Sequence, residues 1–207
     1  MREKRTICGA VVPSWMAVAS LTLLSWGAGP PARPASPGPV PPPSAAAPAL
    51  TAKPSGHWIG RTAKPFALRD TRGTLVDMAK VIGTRPVVLI FYRGVWCPFC
   101  HKQMRDLGHS RTDFEKTGAS VYAISNEGTP AQIRMQTVEN VGYIHFLSDP
   151  DGAAAKLYSG LYPASTVHQP GVFVIDRHGK IIYTYVNQDY KTRAAESDVL
   201  AALRQAR

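Results

Sequence analysis

Two hydrophobic periods succeed each other along the chain. Val87-Val88-Leu89-Ile90-Phe91-Tyr92 is an unbroken apolar run closed by Arg93 and Gly94, the pattern of a strand covered on both faces. Beyond Trp96 the period changes. Cys100, Met104, Leu107 and Phe114 recur at steps of four, three and seven, which is one face of a helix stopped at Gly118. Ser120–Ser125 reads as a second buried strand. Thr129-Pro130 opens another helix, with Thr129 as N-cap, Pro130 at the first position, and Ile133, Gln136, Val138 and Val141 as its face. A short strand at 145–149 and a short helix at 152–161 follow. Residues 171–176 and 180–186 flank Arg177-His178-Gly179 as a hairpin, and 194–204 closes the chain as a helix with Val199, Leu200 and Leu203 inward. Upstream, 66–70 and 74–77 flank Thr71-Arg72-Gly73 as another hairpin, followed by a helical turn over 78–82. Strands alternating with helices between two hairpins predict an α/β fold with a mixed sheet.

The chain has 207 residues, enough for one domain of ordinary size plus extra segments. Its net charge of +10 is not gathered into a run. Arg2, Lys4, Arg5 and Arg33 against Glu3 put about three of those charges in the N-terminal tail, and the rest are scattered. No basic stripe with interleaved aromatic residues exists, so the charge points to no nucleic-acid partner. The basic start Met1-Arg2-Glu3-Lys4-Arg5 precedes an apolar core from Ile7 to Leu24, the layout of an export signal over residues 1–28. Ser25-Trp26-Gly27 puts small residues at the cleavage positions. The apolar stretch also runs on almost to the length of a membrane span, so a tether through residues 7–28 is the alternative. Either way the rest of the chain lies outside the cytoplasm, periplasmic or anchored facing that side. Residues 29–56 are a Pro/Ala-rich linker, extended and without a core of its own, ahead of a domain at 57–207.

Of the three cysteines, Cys8 borders the apolar leader, which leaves Cys97 and Cys100 in the exported part. In an oxidising compartment such a pair is a disulfide for part of its working cycle. It sits where a strand feeds a helix. The unpartnered N–H groups and positive dipole end of that helix favour a thiolate, and Pro98 suits a first turn that needs no N–H. Thiol–disulfide exchange follows, with Cys97 attacking and Cys100, on the apolar face with Met104, resolving the mixed disulfide. Cys97-Pro98-Phe99-Cys100-His101 also matches a haem-attachment motif, with His101 as proximal ligand and Met104 or Met135 as distal one. The buried strand directly before it argues against that use. Zinc would need His101 with His109 or His145, because no second cysteine pair exists. A purely structural Cys97–Cys100 bridge closes too small a loop to restrain the unfolded chain much. His168, two residues before Pro170, is the histidine expected to approach the dithiol. Asp149-Pro150-Asp151-Gly152 reads as a turn, and Tyr183 and Tyr185 share one sheet face.

Trp96-Cys97-Pro98-Phe99-Cys100 after a hydrophobic strand resembles the redox motif of thioredoxin-fold proteins. Lys64-Pro65-Phe66-Ala67-Leu68-Arg69-Asp70, the pair Phe91-Tyr92, and Pro170-Gly171-Val172-Phe173-Val174-Ile175-Asp176 are similar to the alkyl hydroperoxide reductase and thiol-specific antioxidant branch of that fold, the peroxiredoxin-like proteins. The resemblance covers about residues 57–207. It implies a thioredoxin-like fold, thiol redox chemistry without a cofactor or metal, and a thiol protein or a disulfide-bearing protein as partner, with hydroperoxides as a second substrate class. The departures are specific. Laying the strands together puts Cys97 in the family's Thr slot and Cys100 in its peroxidatic slot, so a peroxidase reading has Cys100 attacking the O–O bond and Cys97 condensing with the sulfenic acid. The family's arginine slot falls on Pro170, which matches the cis-proline of thioredoxins that packs against the dithiol and offers backbone groups to a bound chain. Phe91 stands where thioredoxins carry a buried acid. Arg93 is then the substitute cation. The implied site is Cys97, Cys100, Arg93, Trp96 and Pro170.

Overall fold

The computed structural model describes residues 56–206. The export segment and the linker up to residue 55 lie outside the described residues. Among those described, no helix is long and apolar enough to cross a membrane.

Seven strands form one mixed sheet: β1 (Ala67–Asp70), β2 (Leu75–Asp77), β3 (Val87–Phe91), β4 (Ser120–Ser125), β5 (His145–Ser148), β6 (Gly171–Ile175) and β7 (Ile181–Val186), in the order β2-β1-β5-β4-β3-β6-β7. β3 runs parallel to β4 and antiparallel to β6, so it lies in the interior of the sheet. All five of its residues are buried. Fully burying each such side chain contributes about 1.5–3 kcal/mol, which makes this strand the natural floor for whatever follows it. The strand's period of two divides the core. Val88 and Ile90 face a cluster with Cys97, Cys100, Met104 and Leu203, whereas Val87, Leu89 and Phe91 face Tyr158, Phe173 and Ile181. The two hairpins turn where expected, with Gly73 and Gly179 at φ of 79° and 77°, a region closed to most side chains.

The helices are α1 (Pro98–His109), α2 (Arg111–Thr117), α3 (Thr129–Val138), α4 (Ala153–Leu157) and α5 (Glu196–Gln205). The single helix expected up to Gly118 is therefore two. Ser110 leaves the helical region at φ −92°, ψ 12°, and its N–H is drawn to Leu107 O at 3.1 Å. The Tyr143 hydroxyl donates to the same carbonyl at 2.8 Å, so the break is held from outside the helix. Gly118 does close α2, at φ 71°. In α3 the cap is Gly128 rather than Thr129, and of the expected apolar face only Val141, just past the helix end, is buried. Ile133 and Val138 are 45% and 61% exposed, while Gln132 and Met135 are buried. Gln132 Nε2 donates to Leu147 O at 2.7 Å, so a polar side chain stands inside to satisfy a buried carbonyl of β5.

Candidate active site

The turn from β3 into α1 is fixed by its backbone hydrogen bonds. Tyr92 N–H donates to Ile124 O at 3.0 Å, Cys97 N–H to Gly94 O at 3.2 Å, and Val95 N–H to Glu127 Oε2 at 2.7 Å. The Val95 carbonyl faces His101 Nε2 at 2.6 Å, and His101 Nδ1 lies 2.7 Å from Glu139 Oε1. Arg105 Nε holds the other oxygen of that carboxylate at 3.1 Å. The turn thus rests on a chain of hydrogen bonds reaching into α1 and the end of α3. Both ring nitrogens of His101 are engaged in this network. Among the described residues no group of three or more metal-ligating side chains occurs.

Cys97 is the N-cap of α1 in extended geometry (φ −95°, ψ 112°), and Pro98 opens the helix, as the sequence predicts. Cys97 and Cys100 are free thiols, each with 0% exposure. They are not equivalent. Cys97 is pulled below the ordinary thiol range, chiefly by the hydrogen bond from Cys100, then by the N–H groups of Cys100 and Phe99 and by the charge of Arg193, against the opposing effect of burial. Cys100 is pushed up because it donates that hydrogen bond and is itself desolvated. The two thiols titrate as a coupled pair, with Cys97 the one drawn down and Cys100 the one pushed up.

The cation beside them is one that no sequence motif marks. Arg193 Nη2 lies 3.5 Å from Cys100 Sγ and 3.9 Å from Cys97 Sγ. Arg193 comes from the segment between β7 and α5, whose residues show no periodicity, so no local signal points to it. Arg93, expected to be the substitute cation, sends its guanidinium elsewhere. The guanidinium carbon lies 4.3, 4.6 and 5.2 Å from the ring centres of Tyr190, Trp96 and Tyr162. Only the Arg93 backbone N–H faces Cys100. Trp96 is 55% exposed at the rim, where its ring carries that guanidinium.

Two further expectations are corrected. No cis peptide bond occurs among the described residues, so Gln169–Pro170 is trans, and the Pro170 carbonyl accepts from Asn187 N–H at 3.2 Å. That pairing engages one backbone group of the Gln169–Pro170 pair within the chain itself. His168 does not approach the dithiol. It is buried against Phe91 on the other side of the sheet, with Nδ1 3.2 Å from Ile124 O and Nε2 3.3 Å from Asp149 Oδ2. A cleft of about 630 Å³ opens beside the site, floored by Ile90, Val172 and Val199 and edged by Phe99, Lys102 and Arg193.

Comparison with known proteins agrees with this fold. The model of the AhpC/TSA family matches residues 59–184. Alkyl hydroperoxide reductase E of Mycobacterium tuberculosis (strain ATCC 25618 / H37Rv) is 29% identical over 142 residues, covering 67% of this chain and 92% of its own. Chloroplastic peroxiredoxin Q of Oryza sativa subsp. japonica is 32% identical over 126 residues, 59% of this chain and 56% of its own. Among solved structures, peroxidoxin BcpB of Mycobacterium tuberculosis superposes with a TM-score of 0.62 at 27% identity, over 72% of this chain and 97% of its own. AhpC of Enterococcus faecalis superposes with a TM-score of 0.63 at 19% identity, over 72% and 91%, a likeness of fold.

Proposed function

The chain belongs to the AhpC/TSA family of antioxidant oxidoreductases, and we propose that it is a thiol-dependent peroxidase that cycles Cys97 and Cys100 between dithiol and disulfide outside the cytoplasm. The observation that carries the proposal is the place of the pair at the start of α1, with Cys97 as the N-cap and Arg193 Nη2 3.9 and 3.5 Å from Cys97 Sγ and Cys100 Sγ.

In the first step the Cys97 thiolate attacks one oxygen of a hydroperoxide. An S–O bond forms, the O–O bond breaks, and the leaving alkoxide or hydroxide takes up a proton, so the sulfur becomes a sulfenic acid and the peroxide is reduced by two electrons. Cys100 then attacks Cys97 Sγ. An S–S bond forms, the S–O bond breaks, and water leaves with the thiol proton. A partner dithiol protein restores the pair by exchange, ending as a disulfide itself. This assignment makes Cys97 the attacking sulfur in both peroxide reduction and disulfide exchange. The same pair reducing a protein disulfide is the second reading, favoured by the lowered thiol being the first of the two cysteines. The alternative, supported by Cys100 standing in the family's peroxidatic slot, has Cys100 attacking the peroxide and Cys97 condensing with its sulfenic acid. Location is supported by the basic start and apolar core at residues 1–28.

The test is peroxide consumption with a dithiol reductant, read together with the mass of the Cys97–Cys100 peptide. The expected result is turnover with an intramolecular disulfide, loss of turnover in Cys97→Ser, and in Cys100→Ser a single reduction that leaves a dimedone-reactive sulfur at 97. Retained single turnover in Cys97→Ser with none in Cys100→Ser would reverse the roles. Protein-disulfide reduction without peroxide consumption would select the second reading. Fractionation of the producing cell checks the location, and a cytoplasmic pool alone would refute it.

A further inference from the structure

The segment at 187–195 lies beyond residue 184, where the match to the family model ends. We propose that this segment supplies the cation of the dithiol site, with Arg193 as a catalytic residue and Arg93 as the positioning residue that holds it through Tyr190. The proposal rests on the Cys97–Cys100 reading above and names the cation that the cycle uses.

Arg193 touches both reacting atoms, at 3.5 and 3.9 Å through Nη2. Its Nη1 donates to the carbonyls of Tyr190 and, at 3.0 Å, Thr192, so the side chain is bound back onto its own segment. Among the described residues it pairs with no carboxylate, which leaves its charge available to the sulfurs. Its Nε–H is buried without a hydrogen-bond partner. Arg193 also edges the cleft of about 630 Å³. One guanidinium therefore spans the sulfurs and the cleft, with one donor unoccupied. As Cys97 attacks, negative charge moves from sulfur to the departing oxygen, and the positive guanidinium beside the sulfurs favours that charge.

What keeps Arg193 there is an aromatic clamp on the Tyr190 ring. Phe99, between the two cysteines, meets that ring edge-on at 5.7 Å, and the Arg93 guanidinium covers it at 4.3 Å. The Tyr190 carbonyl then receives Arg193. Arg93 also lies over Trp96 and Tyr162, so it joins the β3–α1 turn, the α4–β6 loop and the 187–195 segment at one point. Its guanidinium never needs to reach a sulfur in order to set where the other arginine does. The titratable and charged groups facing Cys97 are Cys100 from its own helix, Arg193 from this segment and Tyr162 from the α4–β6 loop, and Tyr92 of the β3–α1 turn faces Cys100.

The experiment is the pH–rate profile of iodoacetamide alkylation of Cys97 in the reduced full-length chain, located by peptide mass. At iodoacetamide concentrations where the rate stays proportional to reagent, its midpoint reports thiolate formation rather than the rate at which the sulfur is uncovered. Arg193→Gln is expected to raise the midpoint by about one pH unit, a tenfold loss of thiolate well below it, and Arg193→Lys to restore most of that. Arg93→Leu and Tyr190→Ala should raise it part of the way, Tyr190→Phe should leave it in place, and Arg93→Leu combined with Arg193→Gln should move it no further than Arg193→Gln alone. An unmoved midpoint in Arg193→Gln overturns the catalytic role. A full additional shift from Arg93→Leu on the Arg193→Gln background overturns the positioning role. If Arg93→Leu does not fold, Tyr190→Ala on the Arg193→Gln background makes the same comparison. Because alkylation needs neither peroxide nor a disulfide, a midpoint shift without turnover refutes the functional reading and supports this one. Turnover without a shift does the reverse.

Discussion

Gly94 is where the fold is least tolerant of a side chain near the dithiol, and Gly94→Ala is expected to cost about 3–4 kcal/mol. It has φ of 152°, and an added Cβ would stand 2.5 Å from Trp96 Nε1 and 2.9 Å from Glu127 Oε1. The backbone contribution is about 1–2 kcal/mol for an L-residue on the wrong side of φ. Trp96 and Glu127 are side-chain ends and can move away. When Glu127 moves, however, Val95 N–H loses its 2.7 Å carboxylate acceptor, and a hydrogen bond to a charged group contributes about 1.5–3 kcal/mol. At about 2–4 °C per kcal/mol for a chain of this size, thermal unfolding followed by circular dichroism should shift down by about 10 °C. Glu127→Ala alone should cost about 2 kcal/mol, because it removes only the hydrogen bond. The double variant decides the reasoning. Because both changes remove the same bond, its cost should stay close to that of Gly94→Ala. Costs that add to within about 0.5 kcal/mol would show that the glycine and the carboxylate act independently, and the shared hydrogen bond to Val95 could then not be what couples them.

Other outcomes follow from the same geometry. The folded pKa of Cys97 is lowered and that of Cys100 raised, so the reduced protein should gain stability as pH rises through the Cys97 value toward the ordinary thiol range near about 8.5, and lose it above that range. Thermal midpoints of wild type against Cys97→Ser/Cys100→Ser across about pH 4–10 check this, and a flat difference refutes it. Asp149 accepts from Ala154 N–H at 3.2 Å and Ala155 N–H at 3.0 Å and lies beside His168. Asp149→Ala should cost about 3 kcal/mol in urea unfolding. Because its pKa is lowered, the wild-type advantage should fade as pH drops through its folded value. Gly171→Ala would set a Cβ 2.9 Å from Ser159 Cβ, costing about 1–3 kcal/mol by overpacking. Adding Ser159→Gly should recover most of that, and no recovery would place the strain elsewhere.

Apolar runs located the buried strands at the centre of the sheet, and the turns at Gly73 and Gly179 located the hairpins that flank it. The helices were less legible where a distant group decided the outcome. Tyr143 breaks the α1–α2 run from outside it, and Gln132 replaces an apolar residue to meet Leu147 O. The site divides in the same way. Cys97, Cys100 and their place at a helix start follow from adjacent residues. Arg193 reaches Cys100 from 93 positions away, out of a stretch with no periodicity, and only the folded chain brings it there. Arg93 was legible as a cation near the dithiol, but its aromatic partners Tyr162 and Tyr190 come from two other loops, and they turn its charge away from the sulfurs.

The complete covering of both sulfurs sets a kinetic ceiling. A reagent too large for the closed form must wait for the 187–195 segment to breathe, so its rate should climb with concentration and then level off at the opening frequency. A small oxidant that fits the closed form would meet no such plateau. Tightening the aromatic clamp would then slow the exchange of electrons with a protein partner while sparing the oxidant, which makes one loop the throttle for only half of the cycle.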